Sequence, residues 1–123
     1  MSNGSPSHFI SLEKAIEMTT HYRKNKHAVI NPSHSGKEIL ALSDKFDRSV
    51  FDLLLSKPDC TGIRIYYGMD IDLKVHPIVV AVNAKDEDIL PLSGTVTTLS
   101  GSDIGDDTLR CPPFCPPPSP LNQ

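Results

Sequence analysis

The last thirteen residues, Cys111-Pro-Pro-Phe-Cys-Pro-Pro-Pro-Ser-Pro-Leu-Asn-Gln123, constrain the fold most. They hold six of the chain's eleven prolines and two of its three cysteines. Proline fixes φ and lacks a backbone donor, so this stretch can be neither helix nor central strand. It must run extended or turned, on or beyond a folded body.

That body is small. A chain of 123 residues is expected to form one domain. We divide it into a disordered lead-in at 1–9, an α+β domain at 10–104 and a Cys/Pro-rich tail at 105–123. The net charge of −3 is mild and tryptophan is absent, so neither a nucleic-acid footprint nor a base-stacking platform is expected. No stretch approaches the ~18 apolar residues of a membrane span; the longest apolar run, Ile78 to Val82, is strand length. The N-terminus shows no basic region followed by an apolar stretch, and three cysteines fit a reducing compartment, so cytoplasmic residence is expected.

Periodicity supplies the elements. Ser11 suits a helix N-cap, and Leu12, Ala15, Ile16 and Thr19 recur at helical spacing, with Arg23 and Lys24 at the far end. This predicts a helix from about Leu12 to Asn25. Asn31-Pro32 and Ser35-Gly36 read as turns. Asp47 suits a second N-cap, with Phe46 and Phe51 as a hydrophobic staple and Val50, Phe51, Leu54 and Leu55 as the buried face. Lys57-Pro58 closes that helix. Residues 61–68 and 74–83 then read as a hairpin around the link 69–73, with Ile63, Ile65 and Tyr67 alternating against Arg64 and Tyr66 and with Ile65 and Val80 expected in the core. Pro77 assigns part of the second strand to an edge or bulge, whereas Ile78 to Val82 is apolar on both faces and should be covered on both. Residues 89–92 and 95–99 are a further strand candidate, and 101–107 read as loop. The whole predicts an α+β fold: two amphipathic helices packed on a small, mostly antiparallel sheet, with an extended Pro-rich C-terminal tail.

The cysteines are the only candidates for metal or thiol chemistry. Cys111 and Cys115 have a spacing admissible for zinc, but a closed site needs four ligands and the chain adds only Cys60 and scattered histidines. Four steps of polyproline II would separate the pair by ~12 Å, and a disulfide needs Cα atoms within about 7 Å. Pairing therefore requires a turn at Pro113-Phe114, through a cis proline among other routes. The extended and the cross-linked tail exclude each other, and a reducing compartment favours the extended form. Cys60 reads as a buried, inert thiol. His21, His27 and His34 lack the i, i+4 spacing of a helical metal pair; they and His76 read as solvated or structural. Asp70-Ile-Asp72 lacks the rest of a calcium loop, and Asp86 to Asp88 reads as a solvated turn. With no phosphate-cradling loop, nucleophile elbow or metalloprotease motif, we expect no cofactor.

Three segments, Ile10-Ser-Leu-Glu-Lys-Ala-Ile, Gly62-Ile-Arg-Ile-Tyr-Tyr-Gly-Met-Asp70 and Arg110-Cys-Pro-Pro-Phe-Cys-Pro, resemble a group of short Bacteroidota proteins with no established activity. The resemblance covers most of the chain and implies that the tail belongs with the domain. The expected function is protein–protein interaction or an accessory role rather than catalysis. Phe114 would be the anchor and Pro112, Pro113, Pro116 and Pro117 the docking surface for a protein partner. The alternative is a thiol or metal-binding protein using Cys111 and Cys115.

Overall fold

A computed structural model describes residues 8–90, 104–106 and 108–123. Helix α1, Leu12–Asn25, starts where expected, with Ser11 Oγ accepting from the Lys14 amide at 3.0 Å. A 3-10 turn at Pro32–His34 leads to strand β1, Ser43–Phe46. Helix α2, Arg48–Leu55, is capped by Asp47, whose carboxylate accepts from the Ser49 amide. The hairpin follows as β2, Gly62–Met69, and β3, Val75–Val82. Two short strands, β4 (Ile104–Gly105) and β5 (Thr108–Cys111), complete the order. The α+β class is as expected.

The strands form two antiparallel sheets, β2-β3-β4 and β1-β5. Ile65 pairs with Val79, and Tyr67 with Pro77. Among the described residues β4 pairs with β3 at Val79 and Val80, and Pro77 lies outside that pairing. Ile104–Gly105, expected as loop, is thus a strand; two residues are too few to show a period. Of the third strand candidate, Ile89 donates to Ala81 O at 2.8 Å, and residues 91–99 lie outside those described.

The core is Leu54, Val79 and Ala81, enclosed by Phe46, Val50, Phe51, Cys60, Ile63 and Ile89. Val79 to Val82 are all buried, so both faces of this run are covered. Gly105 permits that closeness: a Cβ there would collide with Val50 and lie 3.0 Å from Val79 Cγ2. Phe46 and Phe51 meet edge to face with centroids 5.5 Å apart.

Two expected core positions are on the surface. Ile65 is 51% exposed and Leu55 57%. An eight-residue helix is about 12 Å long, whereas an eight-residue strand runs about 26 Å. α2 therefore covers only the Ile63 end of β2 and leaves Ile65, Tyr67 and Met69 outside. No residue of α1 is buried. Its links are polar: Tyr22 Oη donates to Ala41 O at 2.5 Å and Lys26 Nζ to Leu40 O at 2.9 Å.

Candidate functional site: a cross-linked C-terminal loop

The tail begins inside the fold. β5 pairs with β1 in the register Ser43 to Cys111, Asp44 to Arg110 and Phe46 to Thr108. Thr108 Oγ1 donates to Asp44 Oδ1 at 2.8 Å, and the Leu42 amide donates to Cys111 O at 2.8 Å. A boundary at residue 104 would cut β4 and exclude this pairing.

Arg110 fixes the segment. It is 8% exposed, and its guanidinium forks onto three carbonyls from other parts of the chain. Nη1 donates to Val75 O at 2.6 Å; Nη2 donates to Ile39 O at 3.0 Å and to Glu38 O. Its Nε has no partner among the described residues. Burial pushes the neighbouring Tyr22 phenol up from its ordinary pKa, and the Arg110 charge opposes that shift.

Beyond Arg110 the chain turns back. Cys111-Pro112 and Pro112-Pro113 are both cis, and the Phe114 amide donates to Arg110 O at 2.9 Å. Cys111 and Cys115 are joined as a disulfide with Cα atoms 4.5 Å apart, inside the range such a bond needs. The extended, reduced tail is therefore not the form adopted. The turn lies at 111–114, because β1 and the three carbonyls around Arg110 hold its near end to the body.

The loop presents its groups unequally. Cys111 is 2% exposed, whereas Phe114 is 61% exposed. Cys115, Pro113, Pro116 and Pro117 are exposed, and Pro112 is half-buried. The remaining tail lies against α1: Arg23 Nη1 donates to Leu121 O at 2.7 Å, and Nη2 to Gln123 O. Pro116 and Leu121 line a cleft there with Tyr22 and Leu42.

Cys60 is a free thiol packed at the edge of the core, with Sγ donating to Gly62 O at 3.3 Å. It does not share a site with the tail pair. Among the described residues no group of three or more His, Cys, Asp or Glu side chains is placed to hold a metal.

Two polar clusters lie on the hairpin, where no site was expected. His76 Nε2 is 2.6 Å from Asp70 Oδ2, while Asp70 Oδ1 accepts from the Asp72 and Lys74 amides. These bonds, the His76 contact foremost, hold the Asp70 carboxyl below its ordinary pKa. Further along the same face of the hairpin Arg64 reaches Asp86 Oδ1 and Asp88 Oδ1, each at 2.5 Å, and Tyr66 Oη donates to Asp88 Oδ2. The Asp88 contact raises the Tyr66 pKa above its ordinary value. The segment Asp86 to Asp88 reads as a solvated turn because its partners Arg64 and Tyr66 come from the neighbouring strand.

No described helix is long and apolar enough to cross a membrane. No family model, curated protein or solved structure matches this chain.

Proposed function

We propose that this chain is a protein-interaction module whose docking element is the disulfide-closed loop Cys111–Cys115, with Phe114 as the anchor. One observation carries the reading: Phe114 is 61% exposed inside a loop closed by a covalent bond and by its own amide bond to Arg110 O. Aromatic anchors dominate many interfaces. A loop held in one conformation loses less entropy on binding than a free one. The exposed Pro113, Pro116 and Pro117 flank the ring and stiffen its surroundings. The partner is a protein with an apolar pocket for one phenyl ring. Cytoplasmic residence would make the docking conditional, since reducing compartments keep thiols open.

The test is affinity capture by the immobilised full chain beside its Phe114→Ala and Tyr67→Ala variants. Tyr67 is a more exposed aromatic at 81%, but it lies on β2. A partner retained by the wild type and by Tyr67→Ala, and lost with Phe114→Ala, supports the reading. Capture indifferent to Phe114 rejects it.

A second reading is thiol–disulfide exchange by the same pair, favoured by an exposed Cys115 beside a buried Cys111. An external thiolate would attack Cys115 Sγ and expel Cys111 as thiolate. A second external thiolate would then release Cys115. The protein gains two electrons and two protons, and the external thiols become a disulfide. Oxidation of a dithiol substrate that is lost in Cys115→Ser supports it.

A further inference from the structure

The chain buries a lysine that the docking loop does not use. Lys26, just beyond α1, is 8% exposed. Its ammonium has three donors, and among the described residues it has two acceptors. Leu40 O lies at 2.9 Å, and Glu38 Oε2 at 3.5 Å. The second contact is long for a charge-assisted bond, and the Glu38 side chain is 42% exposed. Taking an ammonium out of water is costly unless it is well paired. A methionine would fill the same space without that cost.

Lys26 lines a cleft of about 210 Å³, together with its two acceptor residues Glu38 and Leu40. Ile30, Pro32 and Ile39 give it apolar walls, and His34 and Ser35 add polar groups. Ile39 is buried at 8%. The lip is shaped by unusual backbone: Gly36 has φ +84° and Glu38 φ +54°, the second a left-handed conformation that non-glycine residues rarely hold. Arg110 donates to the Glu38 carbonyl and helps hold it there. A cavity with apolar walls, a few convergent polar groups and one buried cationic side chain is how small-ligand sites are built.

We infer that this cleft binds a small monocarboxylic acid with a compact apolar body. The carboxylate would meet Lys26 Nζ and take over from the loosely placed Glu38; the apolar body would lie on Ile30, Pro32 and Ile39. An amine is disfavoured, because the charge at the buried end is positive and the opposing carboxylate is at the rim. The volume is below the roughly 300 Å³ at which sites for drug-sized ligands begin, which limits the body to about one ring.

The experiment is an amide-resolved NMR titration of the full chain with sodium benzoate, with neutral benzamide as the matched control. Benzoate should give saturable shifts centred on the amides of Lys26, His34, Ile39 and Leu40. Benzamide should bind at least tenfold more weakly. Lys26→Gln should weaken benzoate at least tenfold while keeping the dispersed spectrum of the wild type. The comparison of benzoate with benzamide uses the wild type alone, so it stands even if Lys26→Gln does not fold. Equal binding of the two probes, no saturable benzoate shifts at these amides, or a folded Lys26→Gln with unchanged affinity would overturn the inference. None of those results bears on Phe114.

Discussion

Arg110 donates through Nη1 to the carbonyl of Val75 at 2.6 Å, which ties β5 to the first residue of β3. The same guanidinium holds Ile39 O, and Ile39 O also accepts from the Val75 amide at 2.9 Å. One buried side chain thus joins the tail, the 38–39 segment and the hairpin. Arg110→Ala leaves three carbonyls without this donor, at about 1–3 kcal/mol for each that water cannot reach. We expect a loss of about 3 kcal/mol in urea unfolding. Arg110→Lys should fall between, because lysine keeps the charge but not the planar fork. A wild-type urea midpoint for Arg110→Ala would show that the guanidinium is not the tie.

Val80 and Ile65 should separate sharply. Val80 is 2% exposed and Ile65 51%. Val80→Ala should cost on the order of 2 kcal/mol, while Ile65→Ala should stay within about 1 kcal/mol of wild type. Equal urea midpoints for the two variants would mean that α2 covers more of β2 than described.

Phe46 and Phe51 form an edge-to-face pair and are both half-buried. Their single alanine variants should be similarly destabilising. A double-mutant cycle should give a coupling of about 0.5–1.5 kcal/mol. Additive losses would place the rings out of contact.

Hydrogen bonds to the charged form hold Asp70 below its ordinary pKa, so its contribution to stability has a definite sign. A carboxyl depressed in the folded state stabilises above its unfolded pKa, and that stabilisation is lost as pH falls through the folded value. The wild type should therefore lose stability on acidification below about pH 4 more steeply than Asp70→Asn. His76→Ala should raise the Asp70 pKa, read directly from its carboxyl carbon resonance. Identical acid limbs for wild type and Asp70→Asn would contradict the assignment. By the same logic, Asp88→Asn should lower the Tyr66 pKa toward that of an ordinary tyrosine in an ultraviolet titration.

What could be read from the sequence was local. The Ser11 cap and the spacing from Leu12 to Thr19 set α1, the Asp47 cap set α2, and the run from Ile78 to Val82 set the buried strand. Ile65 is exposed rather than core because alternation marks a face but not how far the opposing helix reaches along it. The tail departs from its expected extended form for a different reason. Its conformation depends on β1, on Ile39 and on Val75, all at least 35 residues away in sequence. Proline content alone favours extension, and no periodicity reports a pairing at that distance. Lys26 gave no signal either, since a lysine after a helix normally reads as a solvated favourable charge.

Phe114 stands in a loop closed by Cys111 and Cys115, with Cys60 free. Native alkylation of the full chain with iodoacetamide, followed by intact mass and peptide mapping without reductant, tests it most directly. One alkylated cysteine, Cys60, is expected, with a peptide cross-linked between Cys111 and Cys115 whose mass is two hydrogens below the reduced form. Three alkylated cysteines and no cross-linked peptide would contradict it and return the tail to an open chain.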